Sequence, residues 1–548
     1  MGGLRMLTIK PRKRLFERRR ECQAAFSTVG NFFLTSWPVH NYTLTNPMTE
    51  KPNNSDPKLV RGLGQLDATM IVVGSMIGSG IFITSAESAR LVGAPGWLLM
   101  AWAIAGVLTI TGALCCAELA AMMPRAGGQY VFLREAYNKA LGFLFGWSLF
   151  LVIQTGTIAA VAVAFARFLG VLWPTVSENN YLVTPVHLIG GYAISLSTAQ
   201  AVAVLMILFL TATNVTGLKT GKLIQNTFTF TKTAALGGLI LAGLILGWNS
   251  SSAAYTSSWW NSWANGWNPQ VSQPGLQAVG ALALVMLLGR AMTGPLFAQS
   301  AWNNVTFAGG EIRDPGRTLP RALLIGCALV VALYLLANLA YVVTLPLPVI
   351  QRPPNSVATA TMEVALGSVG TVLMAVAIMI STFGCNNGLI LAGARVYYAM
   401  ACDRLFFARV GRLNSRHVPA VALTIQGVWA AILTLPRTVT IDASTGRSSY
   451  GNVYTQLLEY IIPADLVFYV LMVGAVIVMR RKRPDAERPY RTFGYPVVPL
   501  IYILIASLLI FDLVYLAPRT SGIGFLLVLT GLVVYFFWRR GAAKQLNA

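Results

Sequence analysis

The stretch GSMIGSGIF, residues 74–82, decides how this chain is read. It lies inside an apolar run, 66–92, long enough to cross a bilayer, yet Gly74, Gly78, Ser79 and Gly80 are poor helix formers. Lipid offers the backbone no hydrogen-bond partners, so unwound chain at membrane depth must be buried in protein or line a cavity. A break at residues 78–80 therefore exposes N–H and C=O groups that can act as ligands. The half-helix beginning after Gly80 turns its positive N-terminal end toward the break, where a carboxylate would sit, and the carbonyls nearby suit an ammonium group. One small zwitterion satisfies both. Taken alone, GSG reads equally well as close helix packing through small residues.

The rest of the chain supplies the setting. Hydrophobic residues make up 55% of the 548 and charged residues 11%, a composition outside the ordinary soluble range. Runs near twenty residues match the thickness of the hydrocarbon core. Twelve are expected as spans: 66–92, 97–122, 141–172, 195–216, 223–248, 276–303, 319–346, 364–400, 418–435, 453–479, 495–517 and 521–538. They lack the alternation of barrel strands, so the fold class is an all-α polytopic membrane protein.

The net charge of +22 follows from orientation and needs no nucleic acid. With both termini on the cytoplasmic side, 32 of the 41 Lys and Arg fall on inner segments, and the outer ones are Arg90, Arg352, Arg437, Arg447 and Arg519. No soluble domain is available to carry a nucleic-acid reading element. Cys22, Cys115, Cys116, Cys327, Cys385 and Cys402 all map to inner or membrane segments, so no extracellular disulfide is expected. These cysteines and the scattered His40, His187 and His417 make no metal-ligand set, and no cofactor is implied. Residues 1–62 read as a disordered cytoplasmic tail, since the basic run Arg12 to Arg20 is followed by no apolar core or cleavage site. Met48 is an alternative start, because the residues after it read as an ordinary short polar leader.

Five spans fill 63–248, a Ser- and Trp-rich outer loop occupies 249–275, five more fill 276–479, and residues 480–548 add spans eleven and twelve with the C-terminus. An odd set of five makes the second set enter in the opposite sense, the arrangement of inverted-repeat transporters. A second interruption stands at the matching place: Gly294 and Pro295 precede FAQSAWN, residues 297–303, in the sixth span. Two breaks at corresponding positions favour a binding site over packing.

Ionisable residues inside spans narrow the chemistry. Lys232 lies nine residues into the fifth span, about 13 Å deep at 1.5 Å per residue, too deep for easy snorkelling. A fixed ammonium among carbonyl and hydroxyl groups stands where a sodium ion would need to be, which argues against sodium coupling and leaves exchange or proton coupling open. Glu118 is placed to pair with inner-loop arginines, and Asp465 reads either as a packing or as a proton-relay carboxylate. Arg290 either lines the outer vestibule or reaches the headgroups, whereas Arg167, Arg395 and Asp512 lie near span ends and are expected to snorkel. Nothing acidic lies in either break, nor in the polar patches Gln154, Thr155 and Gly156 or Cys385, Asn386 and Asn387. A substrate with an uncharged side chain follows.

These motifs together resemble the amino acid, polyamine and organocation transporter superfamily. They are GSMIGSGIF, the run Cys116 to Leu119 with Met123 to Tyr130, the Lys232 segment, residues 297–303 with Glu311 and Arg317 to Pro320, and Arg488 to Arg491 with Gly494 to Pro496. The likeness covers about 63–540 and leans toward the L-type amino acid transporter branch and its bacterial relatives. It implies a five-plus-five inverted-repeat fold with discontinuous helices 1 and 6 and alternating access. It implies that Ser79 and Gly80 offer N–H groups to the substrate carboxylate, that carbonyls of Met76, Phe297 and Ser300 take its amine, and that Phe297 is an outer-gate aromatic. Lys232 would occupy the vacant sodium position, reaching the first break and Ser381.

The chain departs from that pattern at Gln299, Ser300 and Ala301, where L-type members commonly have an aromatic residue and two glycines. The added bulk and the polar tip of Gln299 favour small neutral amino acids. The outer loop between spans three and four lacks the cysteine that links animal members to a heavy chain, so the protein is expected to work without a disulfide-linked partner, in the plasma (inner) membrane. The reading is a sodium-independent exchanger, with a proton-coupled amino acid or polyamine permease as the alternative. A channel or receptor would show repeated charge rings or carbonyl filters, and an enzyme a convergent nucleophile and base; the sequence shows neither.

Overall fold

The structure, a computed structural model, describes residues 61–546 apart from 189–190, 274, 353–356, 442–447 and 452. The expected tail lies outside the described residues except for 61 and 62, as does Met48.

The first span divides into α1, Gln65–Met76, and α2, Gly80–Val92. The second is α3, Pro95–Met122, with proline in its first turn, where no N–H partner is lost. A short amphipathic helix, α4, Gln129–Ala136, leads to α5, Lys139–Ser148, whose N-terminus is capped by the Asn138 side chain accepting from the Leu141 N–H at 2.8 Å. A single π-turn, Leu149–Ile153, joins α5 to α6, Gln154–Leu172. Then come α7, Thr198–Val215; α8, Leu218–Leu241, ending in a second π-turn, Ala242–Leu246; α9, Gly280–Ala291; α10, Thr293–Ala298; and α11, Asn304–Phe307. The long helices α12, Pro315–Thr344, and α13, Val357–Cys402, follow, then α14, Ala420–Ile432, α15, Val453–Lys482, α16, Val497–Leu516, and α17, Pro518–Leu546. Within α13 the chain turns at Gly367, whose φ of +63° is open to glycine and costly to other residues.

Among the described residues eleven helices are long and apolar enough to cross a membrane. The expected ninth crossing, 418–435, is the exception: α14 has 13 residues, about 20 Å of helix, short of the hydrocarbon thickness. A second departure concerns the all-α reading. Strands β1, Tyr181–His187, and β2, Tyr192–Ser197, between α6 and α7, join β3, Pro436–Ile441, and β4, Ser448–Tyr450, between α14 and α15, in one antiparallel sheet of order β1-β2-β3-β4. Tyr192 pairs with Thr438 and Ile194 with Pro436, so two loops distant in sequence close over one end of the bundle.

At the opposite end the arginines cluster on carboxylates. Glu118 receives Arg480 through two bonds, 2.8 and 2.7 Å, and the Thr492 N–H at 2.7 Å, while Arg480 lies 3.8 Å above the Tyr495 ring. Glu135 bonds Arg134 at 2.9 Å and Arg483 at 2.8 Å. The core between the two ends is apolar and aromatic, with Trp102 edge-on to Tyr334 and Phe145 edge-on to Phe468.

Candidate functional site

Helix α1 stops because Ile77 adopts an extended conformation, φ −74° and ψ +93°, and α2 begins anew at Gly80. Five successive carbonyls left behind, from Gly74 to Gly78, each find a donor on another helix. The Lys232 ammonium, wholly buried on α8, donates to Gly74 and, at 2.7 Å, to Ile77. The Cys385 thiol donates to Ser75 at 3.2 Å and the Tyr334 hydroxyl to Met76 at 2.9 Å. The Ser381 hydroxyl reaches Gly78 at 3.1 Å and Ile77 at 3.3 Å. Helices α8, α12 and α13 thus hold the unwound turn open from three sides.

The N–H side of the same turn is different. Among the described residues the N–H groups of Gly78, Ser79 and Gly80 have no acceptor. They point into the protein at the start of α2, where the helix dipole favours an anion. The Ser79 hydroxyl bonds the Tyr454 hydroxyl at 3.2 Å, and the Tyr454 ring lies edge-on to Phe297, centroids 6.0 Å apart.

The second break, after Ala298, is closed largely by its own backbone, with Asn303 donating to Gln129 at 2.6 Å and accepting from Tyr469 at 3.2 Å. Gln299 N–H donates to Pro295 at 3.0 Å, Ser300 N–H to Phe297 at 3.1 Å and Asn304 N–H to Ala301 at 3.2 Å, and the Ser300 hydroxyl also bonds the Phe297 carbonyl, at 2.8 Å. Ala301 holds a φ of +64°, a left-handed conformation that costs a residue with a Cβ roughly 1–2 kcal/mol. The two breaks touch. A Cβ placed on Gly80 would lie 2.5 Å from the Ala298 Cβ and 2.8 Å from its Cα, so only glycine admits this approach. Further along the same contact, Gly294 abuts Thr84.

The residues expected at the substrate and coupling positions lie in this region: Met76, Ser79, Gly80, Lys232 and Ser381 around the first break, and Phe297, Gln299 and Ser300 in the second. They are not equally free to act. The Phe297 carbonyl carries two bonds from Ser300 and the Met76 carbonyl one from Tyr334, whereas no donor to the Ser300 carbonyl is present among the described residues. The Gln299 amide donates to the Trp102 carbonyl at 3.2 Å while its oxygen, buried, has no partner. Beyond the Phe297–Tyr454 contact, toward the far end of α2 and the start of α15, lies a cavity of about 280 Å³ lined by Thr84, Glu87, Arg167, Arg290, Tyr454 and Glu459.

Three readings of charged residues need adjustment. Arg395 does not snorkel: it is buried and bonds Glu311 twice, at 3.0 Å each, just past the second break. Asp512 has one carboxylate oxygen buried without a partner, and lies against Gly289. Arg167 pairs with Glu178 at 3.1 Å and faces the cavity. Glu118 does pair with arginines, and Arg290 faces the cavity, 3.5 Å from Glu459. Tyr334 and Tyr454 were missed, because a lone tyrosine in an apolar run carries no positional signal. Cys385 was visible only as part of a polar patch.

Long apolar helices with two interrupted segments in contact define a multi-pass membrane protein of the kind built for secondary transport. The profile of the amino acid permease family matches residues 63–538, and the chain belongs to that family. It is 30% identical over 491 residues to the large neutral amino acids transporter small subunit 2 of Mus musculus, an alignment covering 88% of this chain and 82% of that protein. It is 27% identical over 502 residues to the serine/threonine exchanger SteT of Bacillus subtilis (strain 168), covering 90% of this chain and 100% of the other, and 29% identical over 489 residues to the Asc-type amino acid transporter 1 of Mus musculus, covering 88% and 82%.

Proposed function

We propose that the protein exchanges small neutral amino acids across the plasma membrane by alternating access, without sodium. The observation that carries this reading is Lys232: its buried ammonium bonds two carbonyls of the first break and shares the Ile77 carbonyl with Ser381. A cation supplied by the chain itself stands where a coupling ion would be bound, so movement is driven by one substrate replacing another.

The substrate carboxylate docks on the free N–H groups of Ser79 and Gly80. Its amine goes to the Ser300 carbonyl, with the Met76 carbonyl's remaining lone pair as a second acceptor and the Phe297 carbonyl joining once Ser300 turns away. Gln299, with its unpartnered oxygen, faces the side chain and favours small or hydroxylated ones. Phe297 against Tyr454 closes the route from the cavity beyond. The two sets of five helices act as inverted repeats, both termini lie in the cytoplasm, and the chain works without a disulfide-linked heavy chain. The names of the relatives, a transporter of large neutral amino acids and a serine/threonine exchanger among them, support a neutral amino acid, and the second of these supports a small one.

The test is uptake of labelled serine by proteoliposomes. Uptake that requires internal unlabelled amino acid and is unchanged when sodium is replaced by choline supports exchange. Uptake into empty vesicles driven by an imposed pH gradient overturns it in favour of proton symport.

A further inference from the structure

Behind the second break lies a small cavity of about 20 Å³, lined by Thr109, Gln299, Ser300, Asp465, Tyr469 and Tyr502 among others. Its size admits one water molecule at most and no amino acid side chain. Asp465, on α15, is 7% exposed, and among the described residues no Lys, Arg or His pairs with it. The groups facing it are neutral on every side: Tyr469 on its own helix, Tyr502 on α16, Thr109 on α3 with Cys115 and Cys116 further along that helix, and Gln299 and Ser300 in the break. A buried carboxylate with no cation beside it is strongly disfavoured as an ion. The Tyr469 hydroxyl beside it donates to the Asn303 side chain, in the second break, at 3.2 Å. With its own proton given to Asn303, the Tyr469 oxygen is left to accept, and a protonated Asp465 supplies the donor.

We propose that Asp465 is a proton-binding site attached to the second break. With the break closed, as here, the carboxyl is protonated and its O–H donates to the Tyr469 hydroxyl, whose own proton goes to Asn303 in the break. When Gln299 and Ser300 move in the transport cycle, water reaches the cavity and the proton leaves to it as hydronium; it returns from water when the break closes. The carboxyl is the only group that changes charge. Neither break carries an acid in its own sequence, so Asp465 adds to the site a titratable member whose protonation sets how fast the break can open and close.

This inference rests on the reading of the protein as an amino acid exchanger, and the experiment separates the two. Serine exchange is measured in proteoliposomes with equal pH inside and out, stepped from acid to alkaline, for the wild type and Asp465→Asn. The expected result is a pH-dependent rate in the wild type and loss of that dependence in the variant, because the amide mimics the neutral acid. Exchange in both proteins with superimposable pH profiles overturns the proton site and leaves the exchanger reading intact. Should neither protein exchange serine, the exchanger reading fails, and infrared spectroscopy of both proteins in lipid still decides the proton site. A protonated-carboxyl band present at neutral pH in the wild type and missing from Asp465→Asn supports it, and identical spectra overturn it. Asp465→Glu, which keeps the acid, should retain the band at a shifted frequency.

Discussion

The two breaks look alike in the sequence and are held by opposite means. At the first, carbonyls from Gly74 to Gly78 are satisfied by side chains of three other helices, and the N–H groups of Gly78 to Gly80 are left open. At the second, residues 297–304 bond one another, and what is left open is a side-chain oxygen, Gln299, and a carbonyl, Ser300. The first is therefore a fixed socket whose shape depends on distant residues, and it presents donors. The second is held mainly by its own backbone, with side-chain ties from Gln299 to Trp102, Asn303 to Gln129 and Tyr469 to Asn303, and it presents acceptors. A zwitterion bridging them would join the donors of one break to the acceptors of the other.

Helix α13 serves both. Ser381 and Cys385 bond the first break, and Arg395 bonds Glu311 beyond the second. Removing one partner of this buried pair should give the largest loss of stability of any single change near the site. Glu311→Ala is expected to cost about 3–5 kcal/mol, since it leaves a buried guanidinium uncompensated. Thermal unfolding in detergent checks this, and a variant as stable as the wild type would show that the two breaks are not linked through α13.

The next test bears on the socket alone. Tyr334→Phe removes the donor to the Met76 carbonyl inside a dry core and should cost about 1–3 kcal/mol. Because the backbone of the second break is held mainly by its own bonds, a backbone change there should be mild. Ala301→Gly relieves the left-handed strain of about 1–2 kcal/mol but adds freedom to the unfolded chain, so stability should rise by no more than about 1 kcal/mol. Both follow from the same melting experiment. A reversed order, with Ala301→Gly damaging and Tyr334→Phe silent, would exchange the roles assigned to the two breaks.

Much of this was legible in the sequence because the membrane imposes strict rules. Runs of apolar residues had to be helices, Gly78 to Gly80 pointed to a break once a second interruption stood at the matching place, and a lysine nine residues into a span had to find a partner. The break itself falls at residues 77–79, one residue before the glycine and serine cluster that announces it, since Gly80 is already helical. What remained hidden depends on which residues meet across the fold. Arg395 was expected at a headgroup because its distance from the span end was known and its partner, Glu311, was 84 positions away. Tyr334 and Cys385 became ligands of the first break only through helix rotation. The sheet escaped notice because its strands lie in two loops, β1 and β2 far from β3 and β4, and each hairpin alone is too short to declare itself. Asp465 reads in the sequence as either a packing or a proton-relay carboxylate, because the hollow it shares with the second break exists only in three dimensions.

The account depends most on the lysine that fills the socket. Serine exchange by Lys232→Ala, in proteoliposomes prepared from protein shown by gel filtration and melting to be folded, tests it directly. Loss of exchange from a folded protein is the predicted result. Exchange near the wild-type rate would mean that the ammonium merely occupies space, and that the first break is not the centre on which transport turns.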